Sequence, residues 1–153
     1  MKTKQQKFII ENAENLVRQL ASECASSTKE IMSVIPKSIP KNVTEDDVFK
    51  AILSMKYSIE LAELGKRYGM EAVTAFAKEG ISTFSKEIHP MFPSLIEAAQ
   101  QTMINNPDPS EWIRVHCKNY LETKDPENEL FHVAVGHSVS NVVSIEDLVE
   151  HYA

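Results

Sequence analysis

The chain has 153 residues, 42% of them hydrophobic and 25% charged, a size and balance that fill one sizeable core without a metal or disulfide staple. Four glycines and seven prolines exclude the collagenous and low-complexity classes. The formal net charge of −6 argues against a duplex-binding protein, whose affinity comes from neutralising phosphates, and no stretch approaches the ~20 apolar residues of a membrane span.

After Lys2, Lys4 and Lys7 the apolar run is only Phe8-Ile9-Ile10 before Glu11, too short for a secretory segment. The expected location is therefore the cytoplasm. Ile9, Ala13, Leu16, Leu20, Cys24, Ile31 and Ile35 recur at steps of three and four with one skipped turn, which predicts a helix from about 5 to 34 with one buried stripe. Pro36 and Pro40 bracket a loop.

Thr44 with Asp47 approximates a capping box, and the second helix should run through Val48, Ile52, Met55, Ile59 and Ala62 to Tyr68, with Gly69 as a left-handed cap. A third helix is predicted from Met70 to a stop at Gly80, with a further stretch through Ile81, Phe84 and Ile88 leading into the prolines of 90–93. Ser94 and Glu97 open a helix from Leu95 to about Ile104, and Ser110 caps another through Trp112, Ile113, Cys117, Tyr120 and Leu121. Asp125-Pro126 marks one more helix start. The segment 131–143 reads as a helix to Val135 capped by Gly136, with a small β-hairpin as the alternative because β-branched residues alternate there. Ser144 and Asp147 cap a last short helix. The expected fold is all-α, one domain over 1–153, an irregular bundle of about six to eight helices with that hairpin as the one place for strand.

Motifs for chemistry are sparse. Glu129 and His132 have the E-x-x-H spacing of di-iron bundles, but such a site needs two such pairs and two further carboxylates. His116 and Cys117 are adjacent and diverge on a helix, so they form no dyad. Gly65-Lys66 lacks the upstream glycine of a phosphate loop. Acid pairs such as Glu60 with Glu63, or Glu127 with Glu129, read as solvated helix faces. Cys24 and Cys117 read as buried reduced thiols. No cofactor and no metal follow from these patterns.

Charge is unevenly placed. Residues 1–41 carry a net +3, while from 122 onward Glu122, Asp125, Glu127, Glu129, Glu146, Asp147 and Glu150 face Lys124 alone. An acidic face of this kind attracts basic partners and speeds their encounter. Trp112 and Tyr120, types enriched at binding hot spots, are the candidate apolar anchors. The leading expectation is a stoichiometric binding protein that masks a basic protein partner such as a bacterial toxin, in the manner of immunity proteins. That comparison is one of class and transfers no residue. Two alternatives stand beside it. One is a small helical enzyme, metal-dependent in one version, using His116, His132, His137 and His151 with nearby carboxylates. The other is a helical regulator or adaptor.

Overall fold

The structure is a computed structural model that describes residues 3–34, 43–88, 119, 122–123, 129–142 and 144–152. In chain order its helices are α1 (Lys4–Glu11), α2 (Ala13–Val34), α3 (Glu45–Tyr68), α4 (Met70–Phe84), α5 (Glu129–Asn141) and α6 (Ile145–Tyr152). The described residues are mostly helical and include no strand.

The first predicted helix is divided at Asn12. Its side-chain amide and its backbone N–H both donate to Phe8 O, each at 2.9 Å, and this competition for one carbonyl interrupts the helix for a single residue. Thr3 and Gln6 form a reciprocal capping box before α1. Thr44 and Asp47 form the expected one before α3, with both bonds at 3.1 Å. Glu45 and Asp46 in the first turn and Lys66 and Arg67 in the last complement the helix dipole.

Gly69 separates α3 from α4 at φ 89° and ψ 174°. This is a glycine-only conformation, extended rather than the left-handed helical cap expected from the sequence. Gln6 Nε2 donates to Tyr68 O at this joint, fastening α1 to the end of α3.

Helix α3 is the hub. Every residue from 51 to 62 is buried, because α2, α4, α5 and α6 all pack on it. A helix enclosed on all sides has no polar face, and the single stripe Val48, Ile52, Met55, Ile59 and Ala62 understates its burial. Helix α4 continues through Gly80 to Phe84 instead of stopping at Gly80. The glycine serves packing there: Tyr57 stacks on Phe76 with ring centroids 4.8 Å apart and planes at 17°, and its hydroxyl donates to Phe76 O. A Cβ at position 80 would collide with that hydroxyl.

Residues 131–141 are helix, so the hairpin alternative is overturned, as is the cap at Gly136. Alternation of β-branched residues signals strand only where one face meets solvent. Here Phe131, Val135, Val139 and Val142 bury one helical stripe against α2 and α3 instead. Gly136 has open space where a Cβ would sit and sits inside α5 without special geometry. The predicted elements over 94–118 and at Asp125-Pro126 lie outside the described residues.

Candidate functional site

The densest polar chemistry lies inside the bundle. Lys56 and Glu60 are one turn apart on α3, with Nζ 3.1 Å from Oε1 and side chains only 9% and 3% exposed. The second carboxylate oxygen reaches across to α6, where Oε2 accepts the backbone N–H of Ile145 at 3.1 Å. That donor is one of the first-turn N–H groups a helix leaves unpaired. Ser144 Oγ accepts another, from Asp147 N at 3.1 Å. One internal carboxylate therefore closes an ion pair and caps a helix.

Burial pushes the Glu60 carboxyl above its ordinary value, and Glu63 adds to the rise; the Lys56 ammonium, its hydrogen bond and the Ile145 N–H pull the other way. Cys24 from α2 feels the same pair. Burial pushes its thiol up to about 12, with Lys56 opposing and Glu23 and Glu60 reinforcing. At neutral pH it is an inert, protonated thiol, as expected from the sequence. Cys117 lies outside the described residues. Burial also raises the Tyr57 phenol, which stays a hydrogen-bond donor.

The reading of Glu60 as part of a solvated acid pair with Glu63 is overturned, since Glu60 is enclosed. The signal was present in the run Ala51 to Ala62. There two opposite charges four residues apart interrupt an otherwise apolar and small-residue segment, the spacing at which a lysine and a glutamate meet on a helix.

A second enclosed group is His132 on α5. Its side chain is fully buried, and among the described residues neither ring nitrogen has a hydrogen-bond partner. The Glu122 carboxylate has Oε1 3.7 Å from Nδ1, beyond hydrogen-bond distance. His137 and His151 are exposed, and among the described residues no three metal-ligating groups gather.

The structure divides the acidic C-terminal set. Glu146 and Glu150, one turn apart on α6, both pair with Arg67 at the end of α3, the second at 3.3 Å. Asp147 between them is exposed. Glu122 sits beside His132, and Glu129 begins α5. Asp125, Glu127, Trp112, Tyr120 and His116 lie outside the described residues. Sequence reasoning missed Arg67, which only the α3–α6 packing brings to the acids.

Open grooves flank the bundle. One of about 300 Å³ runs between α2 and α5, lined by Ile31, Val34, Ala134 and His137 among others. Val34 and Val133 are large apolar side chains left exposed near it. No protein-family model matches the chain, and no curated protein or solved structure is similar to it.

Proposed function

We propose that this protein acts by binding a basic protein partner, a bacterial toxin being the leading case, through its acidic C-terminal surface. The observation that carries the reading is where the charges lie. Lys56, Glu60, Cys24 and His132 are enclosed, whereas Glu146, Asp147 and Glu150 come to the surface on one short helix, where Arg67 pairs with the first and the last of them. Surface charge of one sign steers association and selects the partner, while desolvated apolar anchors supply most of the affinity. The anchors proposed are Trp112 and Tyr120, with Glu122, Asp125, Glu127 and Glu129 extending the acidic face. On this reading the protein is a single cytoplasmic domain of six to eight helices that needs no cofactor.

The test is binding kinetics with the partner recovered from the native cell. Reversing Glu127, Glu129 and Asp147 to lysine should slow association at low ionic strength and flatten its salt dependence. An unchanged association rate would remove the support for masking. Asp147 is the cleanest probe, because Glu146 and Glu150 also fasten α6 to Arg67 and their loss would disturb the fold as well as the field.

One observation favours the enzyme alternative. A buried imidazole whose two nitrogens find no hydrogen-bond partner among the described residues, with Nδ1 3.7 Å from a carboxylate oxygen, has the donor types of a zinc or iron site. Stoichiometric metal in the purified protein, lost in His132→Ala, would move the assignment to a metal-dependent enzyme.

A further inference from the structure

Helix α6 has only eight residues, too few to hold helical geometry in water by itself. Its order comes from what it rests on. Ile145, Leu148 and Val149 are buried in the core. Glu60 caps its first N–H, and Arg67 grips Glu146 and Glu150 from outside. Three residues, Val142 to Ser144, join it to α5.

The surface beneath its N-terminus is unusual. Most packed helices cover apolar side chains, so that every contact favours closure. The start of α6 covers an ionised pair instead, and keeping charges out of water has a cost of several kcal/mol per ion, offset only in part by their attraction. Burial is the largest influence on the Glu60 carboxyl and acts against its charged form. Lifting α6 therefore loses the packing of Ile145, Leu148 and Val149 on α1, α2 and α3, the Glu60 hydrogen bond and the two Arg67 pairs, but it returns water to the Glu60 end of the buried pair. The apolar side chains pull the helix down and the charge beneath pushes it up. Helix α2 also borders the pair, at Cys24, but it is a long helix held on α3 by a full apolar stripe, whereas α6 is short and has its first N–H on Glu60.

We propose that α6 is a spring-loaded latch: a helix that detaches as a unit while α2, α3 and α4 stay folded, driven open by rehydration of the Lys56–Glu60 pair and restrained on its outer side by Arg67. Its release uncovers that pair together with the apolar stripe Ile145, Leu148 and Val149. Sub-global openings of this kind occupy the low-stability end of a protein's free-energy range.

Native-state amide hydrogen exchange on the full chain tests this. In the wild type, the amides of 148–151 should exchange through an opening that leaves the central amides of α3 protected, with at least a tenfold difference in protection. The double variant Lys56→Met/Glu60→Gln keeps an oxygen for the Ile145 N–H but removes both charges. It should raise α6 protection relative to α3 by roughly tenfold, at the low end of the gain known for replacing buried ion pairs by hydrophobic residues, because the introduced amide stays polar. Arg67→Gln should lower α6 protection by roughly two- to fivefold, the range of an exposed pair, and leave α3 unchanged. Equal protection of α6 and α3 in the wild type would overturn the latch, since α6 would then open only with the whole fold. A double variant with an unchanged ratio of α6 to α3 protection would overturn the spring. The Arg67 variant keeps the core intact, so it reports even if the double variant folds poorly.

Discussion

Replacing Lys56 by methionine keeps the stem of the side chain to Cε and deletes the ammonium 3.1 Å from Glu60 Oε1. At an effective dielectric constant of about 20, the attraction lost at that separation is about 5 kcal/mol. The full amount will not appear as lost stability, because the stranded carboxyl can take a proton. At pH 7 the cost of protonating a carboxyl of ordinary value 4.5 is at most about 3.4 kcal/mol, at 1.36 kcal/mol per unit. That is a ceiling on the charge contribution to the deficit. The sign of its pH dependence follows from the raised carboxyl. The folded state holds the Glu60 proton more tightly than the unfolded chain, so this group's contribution is fully present below 4.5 and is lost as pH rises through the folded value. Removing Lys56 lifts that value further and widens the window of loss. Lys56→Met should therefore be close to wild type near pH 4.5 and should fall behind by up to about 3 kcal/mol at pH 7, or roughly 6–12 °C in Tm for a chain of this size. Adding Glu60→Gln removes the charge while keeping an acceptor for Ile145, and should bring stability at pH 7 to within about 1 kcal/mol of wild type or above it. Urea unfolding followed by far-ultraviolet circular dichroism, at several pH values, measures all three proteins. A Lys56→Met deficit that is the same at pH 4.5 and 7, or that Glu60→Gln fails to relieve, would mean the lysine acts through packing of its stem and not through charge.

Two packing predictions follow. Gly80→Ala should destabilise by about 1–3 kcal/mol through overpacking against the Tyr57 hydroxyl and ring, and Tyr57→Phe in the same chain should not recover that loss in thermal unfolding, because the ring carbons that meet the new methyl remain; a Gly80→Ala protein as stable as wild type would contradict the contact. Gly69→Ala should lose about 1–3 kcal/mol, because φ 89° with extended ψ is a conformation only glycine adopts without strain, and an unchanged urea midpoint would count against that geometry.

What the sequence made legible follows from which interactions are local. The capping box of Thr44 and Asp47 is a contact between residues three apart, and its spacing announces it. The Thr3–Gln6 box uses the same code and was readable on the same rule. Gly69 marked the end of a helix correctly, although its backbone conformation differs from the expected cap. Gly80 and Gly136 misled for a common reason. A glycine inside a helical pattern is a stop signal only if nothing else favours continuing. At 80 the Tyr57 hydroxyl needs the missing side chain, and at 136 the buried stripe of α5 outweighs the local penalty. The Lys56–Glu60 pair was half legible. Its i, i+4 spacing belongs to the sequence, but its enclosure depends on four helices converging on α3, and its second role as a cap for α6 spans 85 residues.

The acidic C-terminus shows why charge counted along a chain differs from charge met by a partner. Seven carboxylates from 122 onward suggest one continuous field, yet those the structure describes have separate employments. Glu146 and Glu150 are tied to Arg67, Glu122 faces a buried imidazole, and only Asp147 is exposed without an anchoring contact to α3. A basic partner approaching α6 from a distance responds to the sum, Arg67 included, because the field adds over all charges within a Debye length of about 8 Å. At contact it meets individual side chains, and it must either share Glu146 and Glu150 with Arg67 or displace it. Displacing Arg67 removes the outer restraint on a helix whose inner face already covers a charge pair. The proposed binding at the acidic surface would thus be thermodynamically linked to the hold of α6 on α3: a partner that draws Glu146 and Glu150 away from Arg67 should loosen α6, and one that leaves Arg67 in place should not.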